Sequence, residues 1–218
     1  MTYEQIKRDP AIRTYIVHAD ASLDALGYTE HSFAHVCQVA ETAGKLLETL
    51  GYPERTVELA KIAGFLHDIG NLVNRTDHSQ SGAIIAFRIL EHKGMSAADI
   101  STIVTAIGNH DEGTGVAVNA VAAALIIADK SDVRRTRVRN ADIATFDIHD
   151  RVNYSVTAST LAVNRETATV QLSLEIDTTI SPVMDYFEIF LSRMTMCRKA
   201  AERLGLSFRL YINGQRLF

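Results

Sequence analysis

The sequence predicts a mainly α protein: a helical bundle followed by a small α+β appendage. Two observations carry this. From about residue 10 to residue 135, apolar residues recur at intervals of three and four, as on a helix that buries one face. After about Asn140 the chain turns rich in Thr, Val and Leu with partial alternation, the period of a strand. The expected division is a helical domain over 1–140 and the appendage over 141–218, with no repeat, low-complexity segment or Gly/Pro-rich linker between them.

The elements follow in order. Between about Glu30 and Leu50, residues Val36, Val39, Ala40, Ala43, Leu46, Leu47 and Leu50 form one stripe that stops at Gly51. Pro53 sits near the start of the next helix, expected from Glu54 to Asp68 and followed by a polar loop to Asp77. A helix from about Ser79 to Lys93 stops at Gly94. Ser96 and Asp99 form a capping-box-like start for another, which carries Ile100, Ile103, Val104 and Ile107. The stretch from Asn119 to about Asp132 is the most apolar and is expected at the centre. In the appendage, Ser155 to Val163 and Ala168 to Ile176 resemble a β-hairpin. Ser181-Pro182 then opens a helix to about Leu204, and Ser207 to Ile212 offers a third strand.

The chain of 218 residues can bury a sizeable core, and its 47% hydrophobic content excludes disorder. No apolar run reaches the roughly 20 residues that span a bilayer, and the start lacks the apolar centre of a signal peptide. Cys37 and Cys197 lie far apart in helical patterns, where a disulfide is not expected, so the expected location is cytoplasmic. A formal charge of -4 offers no general attraction for long nucleic acid or for an anionic membrane.

The chemistry centres on Phe65-Leu66-His67-Asp68-Ile69-Gly70, which sets an imidazole and a carboxylate at the end of an apolar helix. Burying either without a partner costs several kcal/mol, whereas a divalent cation turns them into an asset. His35 lies one helix upstream and Asp129 closes the later apolar run; Ala60, Ala63 and Gly64 leave room for a helix to approach His67 closely. Three helices can thus present His35, His67, Asp68 and Asp129 to one point. A mixed N and O set suits Mn, Fe, Co, Ni or Zn better than Ca or Mg.

In order and spacing, His35, His67-Asp68 and Asp129 resemble the H…HD…D signature of the HD superfamily of metal-dependent phosphohydrolases, over about residues 28 to 135. That resemblance implies an HD-type bundle and a metal-bound hydroxide as nucleophile. His78 and His110 are similar to the additional ligands of dinuclear HD enzymes, which implies a second metal with Asp68 bridging the two. The bland readings are a polar helix start for His78 and a helix-dipole partner for His110. The HD-GYP pattern is not met: Gly113-Thr114-Gly115-Val116 holds no Gly-Tyr-Pro, and Asn71 stands where Lys often follows HD-Ile-Gly. A second His149-Asp150 pair lacks a good helical flank. His31, one turn before His35, is read with His18, His92 and His149 as a surface or packing residue, though its position earns it some attention.

Lys130 and the run Arg134-Arg135-Thr136-Arg137-Val138-Arg139 follow Asp129 directly. They read either as a solvated helix end or, with Arg134, Arg135 and Arg137 gripping phosphate, as a substrate clamp. Asp132 would pair with one of these arginines or assist the leaving group; Asp68, Lys130 and Asp132 are the candidate catalytic residues. The expected function is hydrolysis of a small phosphoester, a nucleotide by preference, with one or two transition metals per chain. A non-catalytic regulatory HD module and an HD-scaffold oxygenase are the alternatives. The appendage supplies no ligand-type cluster and is expected to serve homodimerisation.

Overall fold

The computed structural model describes residues 1–217. Among these, nine α-helices precede and interrupt one four-stranded sheet. The helices are α1 (Tyr3–Arg8), α2 (Pro10–Ala25), α3 (Phe33–Thr49), α4 (Glu54–Leu66), α5 (His78–His92), α6 (Ala97–Gly108), α7 (Ala120–Lys130), α8 (Ile148–Ser155) and α9 (Val183–Arg203). The class is mainly α, as the periodicity predicts. Two short helices escaped the sequence reading. The first is α1, closed by a capping box between Thr2 and Gln5. The second is α8, capped by Asp147, which provides the helical flank that the His149-Asp150 pair was not expected to have.

The bundle is built around α7. Asn119 caps it by accepting from the Ala122 amide, and nearly every residue along it is buried, so it faces neighbours on all sides. Helices α3, α4, α6 and α9 pack against it. Close approach between α3 and α4 depends on Gly64, where a Cβ would stand 2.8 Å from the Ala40 Cα. Gly70 has the same role beyond α4: its missing Cβ would come within 1.9 Å of the His78 carbonyl oxygen. A side chain at either position would separate elements that carry histidines.

Strands β1 (Val156–Asn164) and β2 (Thr169–Ile176) form the expected antiparallel hairpin. Strand β3 (Ser207–Ile212) runs parallel to β2, and a short β4 (Gln215–Arg216), absent from the sequence reading, turns back along it. Parallel neighbours need a crossover connection, and α9 provides it. One side of α9 covers the sheet and the other packs on α7. Val170, Leu172 and Leu174 of β2 therefore join the same buried core as Leu125 and Ile126 of α7. Among the described residues, no helix is long and apolar enough to cross a membrane.

Candidate metal centre

Five helix ends meet at one end of the bundle. His35 lies in the first turn of α3 and His67 caps the C-terminus of α4, with Asp68 next to it. His78 opens α5, His110 stands just past the end of α6, and Asp129 lies in the last turn of α7. All four histidines and Asp68 are buried, and the Asp129 side chain is 12% exposed.

The backbone and one carboxylate fix the tautomer of each ring. His35 Nδ1 donates to Asp132 Oδ2 at 2.7 Å, since an ionised carboxylate can only accept. By the same reasoning His67 Nδ1 donates to the Gly64 carbonyl at 2.8 Å, His110 Nδ1 to Ile107 O at 2.6 Å and His78 Nδ1 to Arg75 O at 3.1 Å. Each Nε2 is turned inward, the arrangement that outer hydrogen bonds give to ligating histidines.

Those nitrogens and the carboxylates form two adjoining groups. In the first, His35 Nε2 is 3.5 Å from Asp68 Oδ2 and 3.4 Å from Asp129 Oδ1, while His67 Nε2 is 3.1 and 3.6 Å from the same atoms. In the second, Asp68 turns its other oxygen, Oδ1, to His78 Nε2 at 3.5 Å and His110 Nε2 at 4.0 Å; those two nitrogens are 3.1 Å apart. Ligands about 2.1 Å from a common ion lie roughly 3.0 Å apart in an octahedron and 3.4 Å in a tetrahedron. The first group fits the tetrahedral spacing closely, and the second is slightly looser. His35 Nε2, His67 Nε2 and Asp68 Oδ2 are buried without a hydrogen-bond partner. Orphans of this kind cost about 1–3 kcal/mol each, and a cation satisfies all three. The donor set is therefore compatible with divalent metal.

The electrostatics agree. Burial opposes ionisation of Asp68 and Asp129, but His67 and His35 beside Asp68, and Lys130 with the same histidines beside Asp129, hold both carboxyls well below the usual range. Burial disfavours a charged His67, yet Asp68 and Asp129 lift it to about 10. Burial and the positive surroundings of His67 and Lys130 press His110 down to about 3. Asp68 and Asp129 thus stay ionised, and the proton they hold on His67 is the one a bound cation would displace.

Other residues named from the sequence take supporting positions. Lys130 Nζ is buried between Asp129 Oδ2 at 2.7 Å and Glu112 Oε1 at 3.2 Å. Asp132 lies behind His35, on the side away from the ligand atoms, and accepts from Arg134 Nε at 2.7 Å. Asn71 donates to Asp68 Oδ1 at 3.0 Å and holds the shared carboxylate in place.

The arginines part company. α7 ends at Lys130 instead of continuing toward them; Arg134 is extended and Arg135–Arg137 form a 3-10 turn. Arg134 is occupied by Asp132 and Glu30, while Arg135 stacks on Tyr154 and donates to its carbonyl. These two line a groove against β1. Arg137 instead lines a cavity of about 350 Å³ together with His31, Arg75 and Arg193. Sequence reasoning missed Arg75 and Arg193. Neither belongs to a motif, and only the fold brings the α4–α5 loop and α9 to one place. His31, whose ring centroid is 5.5 Å from that of His35, sits at the junction of cavity and cluster.

The chain is 27% identical over 161 residues to an uncharacterized protein, MJ1020, of Methanocaldococcus jannaschii, covering 64% of this chain and 62% of that one. It therefore spans less than two thirds of that relative's length. A solved structure, of a predicted HD superfamily hydrolase from an uncultured Thermotogales bacterium, is 24% identical, covers 60% of this chain and 73% of that one, and superposes with a TM-score of 0.44. The model of the HD domain matches residues 32–150, from the cap of α3 into α8 and so across every histidine and carboxylate of the cluster. A match over more than half of the sequence settles the family: this chain belongs to the HD domain family.

Proposed function

We propose that the protein is a metal-dependent phosphohydrolase acting on a small phosphoester, a nucleotide by preference. The observation that carries the reading is the set of buried, unpartnered atoms His35 Nε2, His67 Nε2 and Asp68 Oδ2, turned on one point. His35, His67, Asp68 and Asp129 would hold one divalent cation. His78 and His110 would hold a second, with Asp68 shared between them.

When bound, such cations lower the pKa of a coordinated water and polarise phosphoryl oxygens. The protein's own residues prepare the site. Asp132 fixes the His35 ring through Nδ1, and Asn71 fixes Asp68. Lys130 steadies Asp129 through Oδ2 and offsets its negative charge. In this reading Lys130 and Asp132 are positioning residues, and Asp68 would contact the reacting centre. Asp68 and Asp129 reach the surface only at their edges, so bulk water is largely excluded.

The test is protein stripped of metal, reloaded with Mn or Fe, and assayed for phosphate release across a phosphoester panel. Release that depends on the added metal is expected. Full metal binding with no turnover would instead favour the non-catalytic HD module, and oxygen-dependent loss of an organic substrate would favour the oxygenase.

A further inference from the structure

The cavity beside the cluster is cationic in an unusual way, because its three guanidinium groups come from three separate parts of the chain. Arg75, in the loop before α5, places Nη1 3.4 Å from His78 Nε2 and stacks over Tyr28 at 5.7 Å. Arg137 is buried; its Nε and Nη1 donate to Glu30 O and Asp132 O at 3.0 and 2.9 Å. Arg193, from α9, is held through Nε by Glu112 Oε1 at 2.7 Å and lies over the Phe190 ring at 4.6 Å. Arg75 touches the cluster directly at His78, Arg137 reaches it through Asp132, and Arg193 through Glu112 and Lys130.

Their held orientations matter. Arg193 is anchored through Nε, Arg137 through Nε and Nη1, and Arg75 through Nη1, which leaves each an Nη group for a second partner, and a planar fork matches phosphate oxygens. The carboxylates on the same wall are engaged elsewhere: Asp147 caps α8, and Asp150 accepts from Asn140. A volume of about 350 Å³ suits a small molecule and not a polymer.

We propose that this cavity is an anion-binding site for the phosphate of a small phosphomonoester, with Arg75, Arg137 and Arg193 as its contacts. Helix α9 thereby supplies a substrate-contacting residue from outside the stretch matched by the HD domain model. The proposal rests on the phosphohydrolase reading of the cluster, and it replaces Arg134 and Arg135 as the clamp.

The experiment is calorimetric titration of the Mn-loaded full chain with inorganic phosphate and with adenosine 5′-monophosphate. Wild type, Arg75→Met, Arg193→Met and Arg193→Lys are compared, with the exposed Arg88→Met as control and metal content measured on every sample. Loss of one charged hydrogen-bond donor should weaken both probes roughly tenfold or more in the two Met variants, at unchanged metal content. Arg193→Lys, which keeps the charge but not the fork, should fall between, and Arg88→Met should match wild type. Wild-type affinity in Arg75→Met and Arg193→Met, or no wild-type binding up to about 10 mM phosphate, overturns the proposal. Binding that weakens as expected in a protein that hydrolyses no phosphoester would leave the anion site standing and remove the hydrolase reading. Turnover with binding unchanged in the variants would do the reverse.

Discussion

The two halves of the cluster share Asp68 but are built to different tolerances. The His35–His67 half has two carboxylates, Asp68 and Asp129, and both histidines are fully buried with Nδ1 bonds of 2.7 and 2.8 Å. One of those bonds ends on the carboxylate Asp132, which raises the basicity of its ring. The His78–His110 half has only the far oxygen of Asp68 at 3.5 and 4.0 Å. Its nearest further carboxylate, Asp111, is 4.0 Å from His78 Nε2 with its side chain one-third exposed, and Arg75 presses on it from the cavity. Fewer anionic ligands and a nearby cation weaken affinity for a divalent ion. The first half should therefore hold its metal tightly and the second should exchange it.

The largest expected effect is the loss of both halves together. Asp68→Ala removes the shared carboxylate, so metal content by mass spectrometry should fall toward zero and hydrolysis to below roughly 1% of wild type. The halves separate at the next step: His110→Ala should lower the saturating Mn stoichiometry from two to one and leave the tighter site filled, whereas retention of two would contradict the assignment. Asp132→Ala should weaken only the tight site, by about 10–100-fold, because it frees the His35 ring without removing a ligand. Glycine replacements test the scaffold beneath each half. Gly64→Ala would crowd the Ala40 backbone under the first half and lower stability by about 1–3 kcal/mol in thermal melts. Gly70→Ala, with the closer clash at the His78 carbonyl, should cost more and loosen the second half selectively. Arg135→Ala should change hydrolysis least, since its guanidinium is engaged by the ring and carbonyl of Tyr154.

The convergence of the cluster was legible in the sequence because its residues obey local rules. His35, His67 and Asp129 each stand at a recognisable end of an apolar helix, and small residues such as Gly64 announce a close helical contact. The course of the chain after Asp129 was not legible. Ser131, Asp132 and Val133 form a tight turn, with Asp132 N bonded to Asp129 O and Val133 N to Ser131 O, and this redirects the arginines. Nothing local signals that turn; Asp132 is held there by a histidine 97 residues away. The same limit hid Arg75 and Arg193, whose meeting depends on α9 crossing from β2 to β3 over α7. The hairpin and β3 were legible from alternation, whereas two-residue β4 was too short to show a period.

The most direct measurement is anomalous diffraction at the Mn edge from crystals of the metal-loaded protein. The account predicts one strong peak enclosed by His35, His67, Asp68 and Asp129, and a second of lower occupancy between His78, His110 and the other oxygen of Asp68. Peaks elsewhere, or these six side chains dispersed around none, would contradict it.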